Sequence, residues 1–142
     1  MTMDDKQEGF PDDFSQEVDD LIDATMSDEN SARAVKRMEE AIQSGIPKSQ
    51  LSSAYLILGT RYEDLDQIDK AIDCYSKSIQ LWAKDPIVYF WRGELLFQQG
   101  RNKDARLDLE TALLLSSPNS SYYSLEREQA QDLLKRIGQC NQ

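Results

Sequence analysis

The side chains here that could do chemistry are carboxylates working without an imidazole. The chain has 142 residues, with 26 acids, 16 bases and no histidine. That removes the commonest general base, the commonest metal ligand and every Ser–His or Cys–His nucleophile pair. No GxxxxGK[ST] or GxGxxG phosphate loop is present. Cys74 and Cys140 lack CxxC spacing and read as two reduced thiols. Carboxylate pairs occur, but each falls on a helix face expected to be solvated, and so acidic a chain has such pairs without catalysis. The inventory therefore predicts no enzyme, no metal and no cofactor, and leaves recognition by charge and apolar surface.

The charge is unevenly placed. Residues 1–31 hold eleven acids against Lys6 alone, while the remainder holds fifteen charges of each sign. Such a segment repels nucleic-acid phosphates and anionic headgroups and attracts basic partners. It could steer a basic partner, lie across an apolar groove through Phe10 and Phe14, or only keep the chain in solution. No apolar run approaches the roughly 18–20 residues of a membrane span. The start, MTMDDKQEGFPDDF, reads as neither a signal peptide nor a transit peptide. A cytoplasmic protein is expected, without membrane insertion or nucleic-acid binding.

The elements that must present this chemistry follow from a repeat. Gly59, Ala71, Tyr75, Ser78 and Ile79 recur 34 residues later as Gly93, Ala105, Leu109, Ala112 and Leu113, and Tyr55 recurs as Tyr89. A period of this length marks helix pairs that bury their apolar faces only by stacking. Each Gly is expected at a close crossing within its own pair. Ala34, Met38, Ala41 and Ile42 form an earlier, degenerate copy, with Ile22 where the later copies have Gly; Ile22 should hold its two helices apart or tilt them.

Residues 1–13 read as a disordered acidic arm and 14–142 as one helical domain. Within it, 14–48 is the degenerate repeat, 52–85 and 86–119 are full repeats, and 120–138 is a capping helix. Helices are predicted over about 14–26, 50–64, 67–81, 86–99, 102–115 and 120–137, with a stripe from Ala34 to Ile42 between the first two. Asp12 or Asp13 could cap the first, Asn102 the sixth. Gly45 and Pro47 end the second helix, Gly100 makes a turn, and Gly138 should stop the last. Tyr122, Leu125, Leu133 and Ile137 are expected on one side of that last helix.

The stretches YLILGTRY…KAIDCYSKSIQL and YFWRGELLFQQG…DARLDLETALLL resemble the tetratricopeptide repeat family. The resemblance implies an all-α solenoid of three antiparallel helix pairs plus a C-terminal capping helix. Asn102 for the usual aromatic, Pro118 one residue late and Arg92 for Leu depart from the pattern. The family lines a concave groove with the first helix of each pair. Its spacing puts Asp19 and Asp23 there from the degenerate unit. From the full repeats it puts Ser53, Leu56, Ile57, Thr60 and Glu63, then Ile87, Phe90, Trp91, Glu94 and Phe97. Phe90, Trp91 and Phe97 are expected to serve binding more than stability.

Members that grip acidic chaperone tails need basic and amide donors where this chain has Asp19, Asp23, Ile57, Ile87 and Trp91. An acidic chaperone tail is therefore excluded as partner, and a basic or amphipathic protein segment is expected. The expected function is a non-enzymatic protein–protein adaptor or assembly factor. The alternative is a small acidic chaperone resembling those of type III secretion translocators. A small hydrolase on this scaffold is disfavoured by the missing histidine.

Overall fold

The computed structural model describes residues 14–140, and these form seven helices with no strand. The acidic arm, 1–13, lies outside the described residues. The helices are α1 (Gln16–Ser27), α2 (Ser31–Ser44), α3 (Lys48–Asp64), α4 (Ile68–Leu81), α5 (Pro86–Gln98), α6 (Asn102–Leu115) and α7 (Ser124–Cys140).

Local chemistry sets several of these boundaries. The side chains of Ser15, Asn30 and Asp85 accept from backbone N–H groups at the starts of α1, α2 and α5, and Pro86 occupies a first-turn position in α5. Ser15, three residues before the N–H it caps, takes the place expected for Asp12 or Asp13. Arg101 rather than Asn102 stands at the start of α6, and no side chain caps it. The turn after α5 closes through Gly100 at φ 77°. Gly138 does not end α7, which runs on to Cys140; a lone Gly costs a helix only about 1 kcal/mol, which packing overrides.

α3 and α4 form one hairpin, α5 and α6 another, and each stacks on the next, with α7 closing the end against α5 and α6. Small residues permit the tight crossings. A Cβ on Gly59 would lie 2.5 Å from Tyr75 Cε1, and one on Gly93 would lie 3.1 Å from Asp108 Cβ and from Leu109 Cγ. Ser78 donates to the Ser52 carbonyl at 2.9 Å, a third close approach between α3 and α4. Met38, Tyr75, Leu95, Leu109 and Ile137 are fully buried along the axis of the stack. Each contributes about 1.5–3 kcal/mol by leaving water.

The first pair is looser, as Ile22 predicts. Ile22 is buried, and α1 leans on α3 as much as on α2. Two side chains of α3 hold it there. The Gln50 amide accepts from Ser15 N at 2.8 Å and donates to Ser15 O at 2.9 Å. At the other end Arg61 donates to the carbonyls of Thr25, at 3.1 Å, and Met26. These satisfy backbone groups that a helix leaves without partners at its ends.

The last helix departs from expectation. It begins at Ser124, after a turn in which Tyr123 takes φ 65°. Tyr122 and Leu125 are therefore exposed (69% and 59%), and the packed stripe is Ala130, Leu133 and Ile137.

Candidate functional site

The first helices of the pairs, with α7, present the candidate groove. Among the expected residues, Phe90 is a correction: it is only 3% exposed. α7 lies where the first helix of a further repeat would lie, and it covers Phe90 together with Ala112, Leu113, Tyr123, Arg127 and Ala130. The space left there is about 10 Å³, too little for more than one water. Ile87 is half-buried at the edge of the same crevice. Phe97 is half-buried with the Arg136 guanidinium 5.1 Å from its ring centroid. Ile57 is buried as well. Truncating Phe90 would therefore remove core, contrary to the role expected for it.

Trp91, Leu56, Glu63 and Glu94 remain partly exposed. Trp91 packs on Tyr75, ring centroids 6.1 Å apart at 45°. The Tyr75 hydroxyl donates to Glu63. Burial pushes the Glu63 carboxyl above its ordinary value; the Tyr75 hydrogen bond opposes this, and the charges of Glu94 and Asp64 add to it. Burial also raises Glu94, which has no hydrogen-bond or ion-pair partner among the described residues. Thr60 donates its hydroxyl to Ile57 O at 2.7 Å. Leu56 lines an open cleft of about 480 Å³ with Ser53, Trp82 and Asp85. Asp19 is half-buried and Asp23 exposed on α1.

α7 adds groove residues that the sequence reading missed. Glu94 shares an open cleft of about 460 Å³ with Leu125, Glu128, Gln129, Asp132 and Arg136. A signal for them existed. Tyr123, Leu125 and Glu128 stand 34 residues after Tyr89, Trp91 and Glu94, so the period runs on into α7.

The remaining reactive groups are structural. Cys74 is buried, and its thiol is pushed up to about 11 by that burial, so it is protonated at neutral pH and is no nucleophile. Arg92 and Asp108 form a two-pronged ion pair at 2.6 and 2.7 Å, and Arg92 also donates to Ser76 Oγ at 3.1 Å. The Arg that departs from the repeat pattern thus ties α4, α5 and α6 together. No group of three or more potential metal-ligating side chains occurs among the described residues.

Residues 59–100 match the TPR repeat family. No curated protein matches the chain in sequence. Among solved structures it is similar to the type III secretion chaperone SycD of Yersinia enterocolitica in complex with a peptide of the translocator YopD. The TM-score is 0.75 at 21% identity, over 93% of this chain and 100% of that one. Another structure of SycD gives a TM-score of 0.77 at 22% identity, over 90% of this chain and 88% of that one. PcrH from Pseudomonas aeruginosa gives 0.68 at 16% identity, over 88% and 95%. At these identities the likeness is one of fold. The repeat period, the stacked hairpins and the match over the central repeat agree, and the chain has a tetratricopeptide-repeat-like fold.

Proposed function

We propose that this chain is a non-enzymatic, cytoplasmic adaptor that holds a basic or amphipathic segment of a partner protein in the groove of α1, α3, α5 and α7. One observation carries the reading. After α7 has covered Phe90, the same face still presents the partly exposed Trp91 and exposed Leu125 beside half-buried carboxylates. A fold built for stability alone has no use for carboxylates held partly out of water next to a partly exposed tryptophan. The SycD structure that holds a peptide of its translocator partner supports a groove of this kind.

A second, narrower reading is a chaperone for a translocator-like secreted protein. It is favoured by the extent of the likeness, which spans the whole SycD chain and so takes in the degenerate repeat and the last helix.

The test is affinity capture from native lysate with the parent, Trp91→Ala and Leu125→Glu, followed by mass spectrometry. Leu125 is exposed and Trp91 is half-buried against Tyr75, so helical circular dichroism like the parent's is required of both variants before their binding is compared. A partner held by the parent and lost by both variants is the expected result. A partner retained by both would refute the groove. A captured protein that is secreted and inserts into membranes would select the narrower reading.

A further inference from the structure

From the charge and geometry of the α3–α5–α7 face, we infer that the groove contains a subsite for one lysine or arginine side chain of the bound segment. The alkyl stem lies on Trp91 and the cationic head lies between Glu63 and Glu94. This rests on the groove as the binding face and adds what chemistry it selects.

Four side chains make the subsite. Glu63 is oriented by the Tyr75 hydroxyl, and Tyr75 is fully buried, so the carboxylate is held from behind. Trp91 packs at a tilt against the same Tyr75 ring. Glu94 lies one helical turn beyond Trp91 on α5, and Glu63 feels its charge across the groove. Glu63 and Glu94, on neighbouring groove helices and each half removed from water, are less stable ionised than in solvent. A cation placed there relieves both at once. The partly exposed indole beside them suits a long aliphatic stem ending in positive charge.

Other basic residues nearby do not fill this role. Arg136 is set over Phe97 and lies 3.8 Å from Asp132 on its own helix. Arg92 is committed to Asp108 and Ser76. The complementary charge must come from outside the described fold, and a peptide segment supplies it together with apolar neighbours for Leu56 and Leu125.

The experiment pans the full chain at neutral pH against a random-peptide phage library. The Glu63→Gln/Glu94→Gln double variant is panned in parallel. Glu110→Gln, an equal loss of charge on the exposed side of α6, is the control. Gln keeps the acceptor for Tyr75, and circular dichroism checks the fold; should the double variant misfold, Glu94→Gln alone carries the comparison. The parent and the control should select peptides with Lys or Arg beside apolar residues, and the double variant should select apolar peptides without the base. Replacing that Lys by norleucine in the best peptide should cost the parent about tenfold in affinity, the scale of a charge-assisted hydrogen bond, and cost the double variant nothing. Basic residues selected equally by parent and double variant, or not selected by the parent, overturn the subsite. The groove reading then survives if Trp91→Ala still abolishes binding. No peptide selected by the parent overturns both.

Discussion

Gly59→Ala places one methyl group where the two helices of the first full repeat cross. The new carbon would sit 2.5 Å from Tyr75 Cε1, 2.8 Å from Cδ1 and 3.2 Å from Cζ. Ordinary carbon contact is about 3.5–4.0 Å, so the ring or the helix must move by about 1 Å. The ring has little freedom, because it is fully buried and its hydroxyl is held by Glu63. Overpacking of this kind costs about 1–3 kcal/mol, and a rigid aromatic neighbour puts Gly59 near the upper end. Replacing Gly by Ala in a helix interior returns about 1 kcal/mol. The net expectation is a loss of about 2 kcal/mol. Gly93→Ala is the internal control. Its nearest contacts are at 3.1 Å, to Asp108 Cβ and Leu109 Cγ, so a shift of a few tenths of an ångström suffices and the two effects nearly cancel. Urea unfolding followed by circular dichroism measures both. Gly59→Ala should lower the midpoint with an unchanged slope and lower Tm by about 6 °C, while Gly93→Ala stays near the parent. Parental stability in Gly59→Ala, or a larger loss in Gly93→Ala, would refute the steric account.

Asp108→Ala leaves Arg92 half-buried without its carboxylate and should cost about 2–3 kcal/mol, less than a fully buried pair because Arg92 keeps some water. The double variant Arg92→Met/Asp108→Leu should recover most of that loss in the same unfolding assay. Burial raises the Glu94 carboxyl above its ordinary 4.5, so its contribution to stability is present below that value and is lost as pH rises through the raised pKa. Glu94→Gln should therefore melt above the parent at pH 7, and the advantage should vanish near pH 4, which a pair of thermal melts would decide. Arg127→Ala removes donors to the Ser116 carbonyl and hydroxyl, both at 2.9 Å, and should cost about 1–3 kcal/mol. Hydrogen exchange should then speed up in α7 while α3 and α4 keep their protection.

Helix number and order were legible because the 34-residue period carries small residues to each crossing, and nothing but a crossing needs them at Gly59, Ser78 and Gly93. The groove was legible only in part. Helical spacing puts Phe90 on the same face as Trp91, and whether that face is open depends on what the chain lays over it. The covering stripe of α7 is Ala130, Leu133 and Ile137, and Ala130 is too weak an apolar signal to set a phase by itself. Tyr122 and Leu125, the louder residues, draw the reading toward the wrong side. The positive φ at Tyr123 that delays the helix start has no marker in the residue type, since a left-handed tyrosine is uncommon. Helix caps failed for a related reason: Ser15 and Asp13 are equally good acceptors by type. Gln50 decides between them from 35 residues away by gripping the Ser15 backbone.

That grip changes how the array comes apart. A stack of repeats in which each unit touches only its neighbours opens from an end, one hairpin at a time. Here the terminal helix is bolted at both ends to the helix after next, through Gln50 and Arg61. α1 cannot fray without exposing the start of α3 and stripping a guanidinium of its carbonyls, and α2 packs its buried Ala34, Val35 and Met38 in the same block. The degenerate pair is therefore tied across the boundary between repeats to the α3–α4 hairpin. Amides in α1 should exchange together with those in α2 rather than ahead of them, while α3, held in its hairpin with α4, keeps a slower rate.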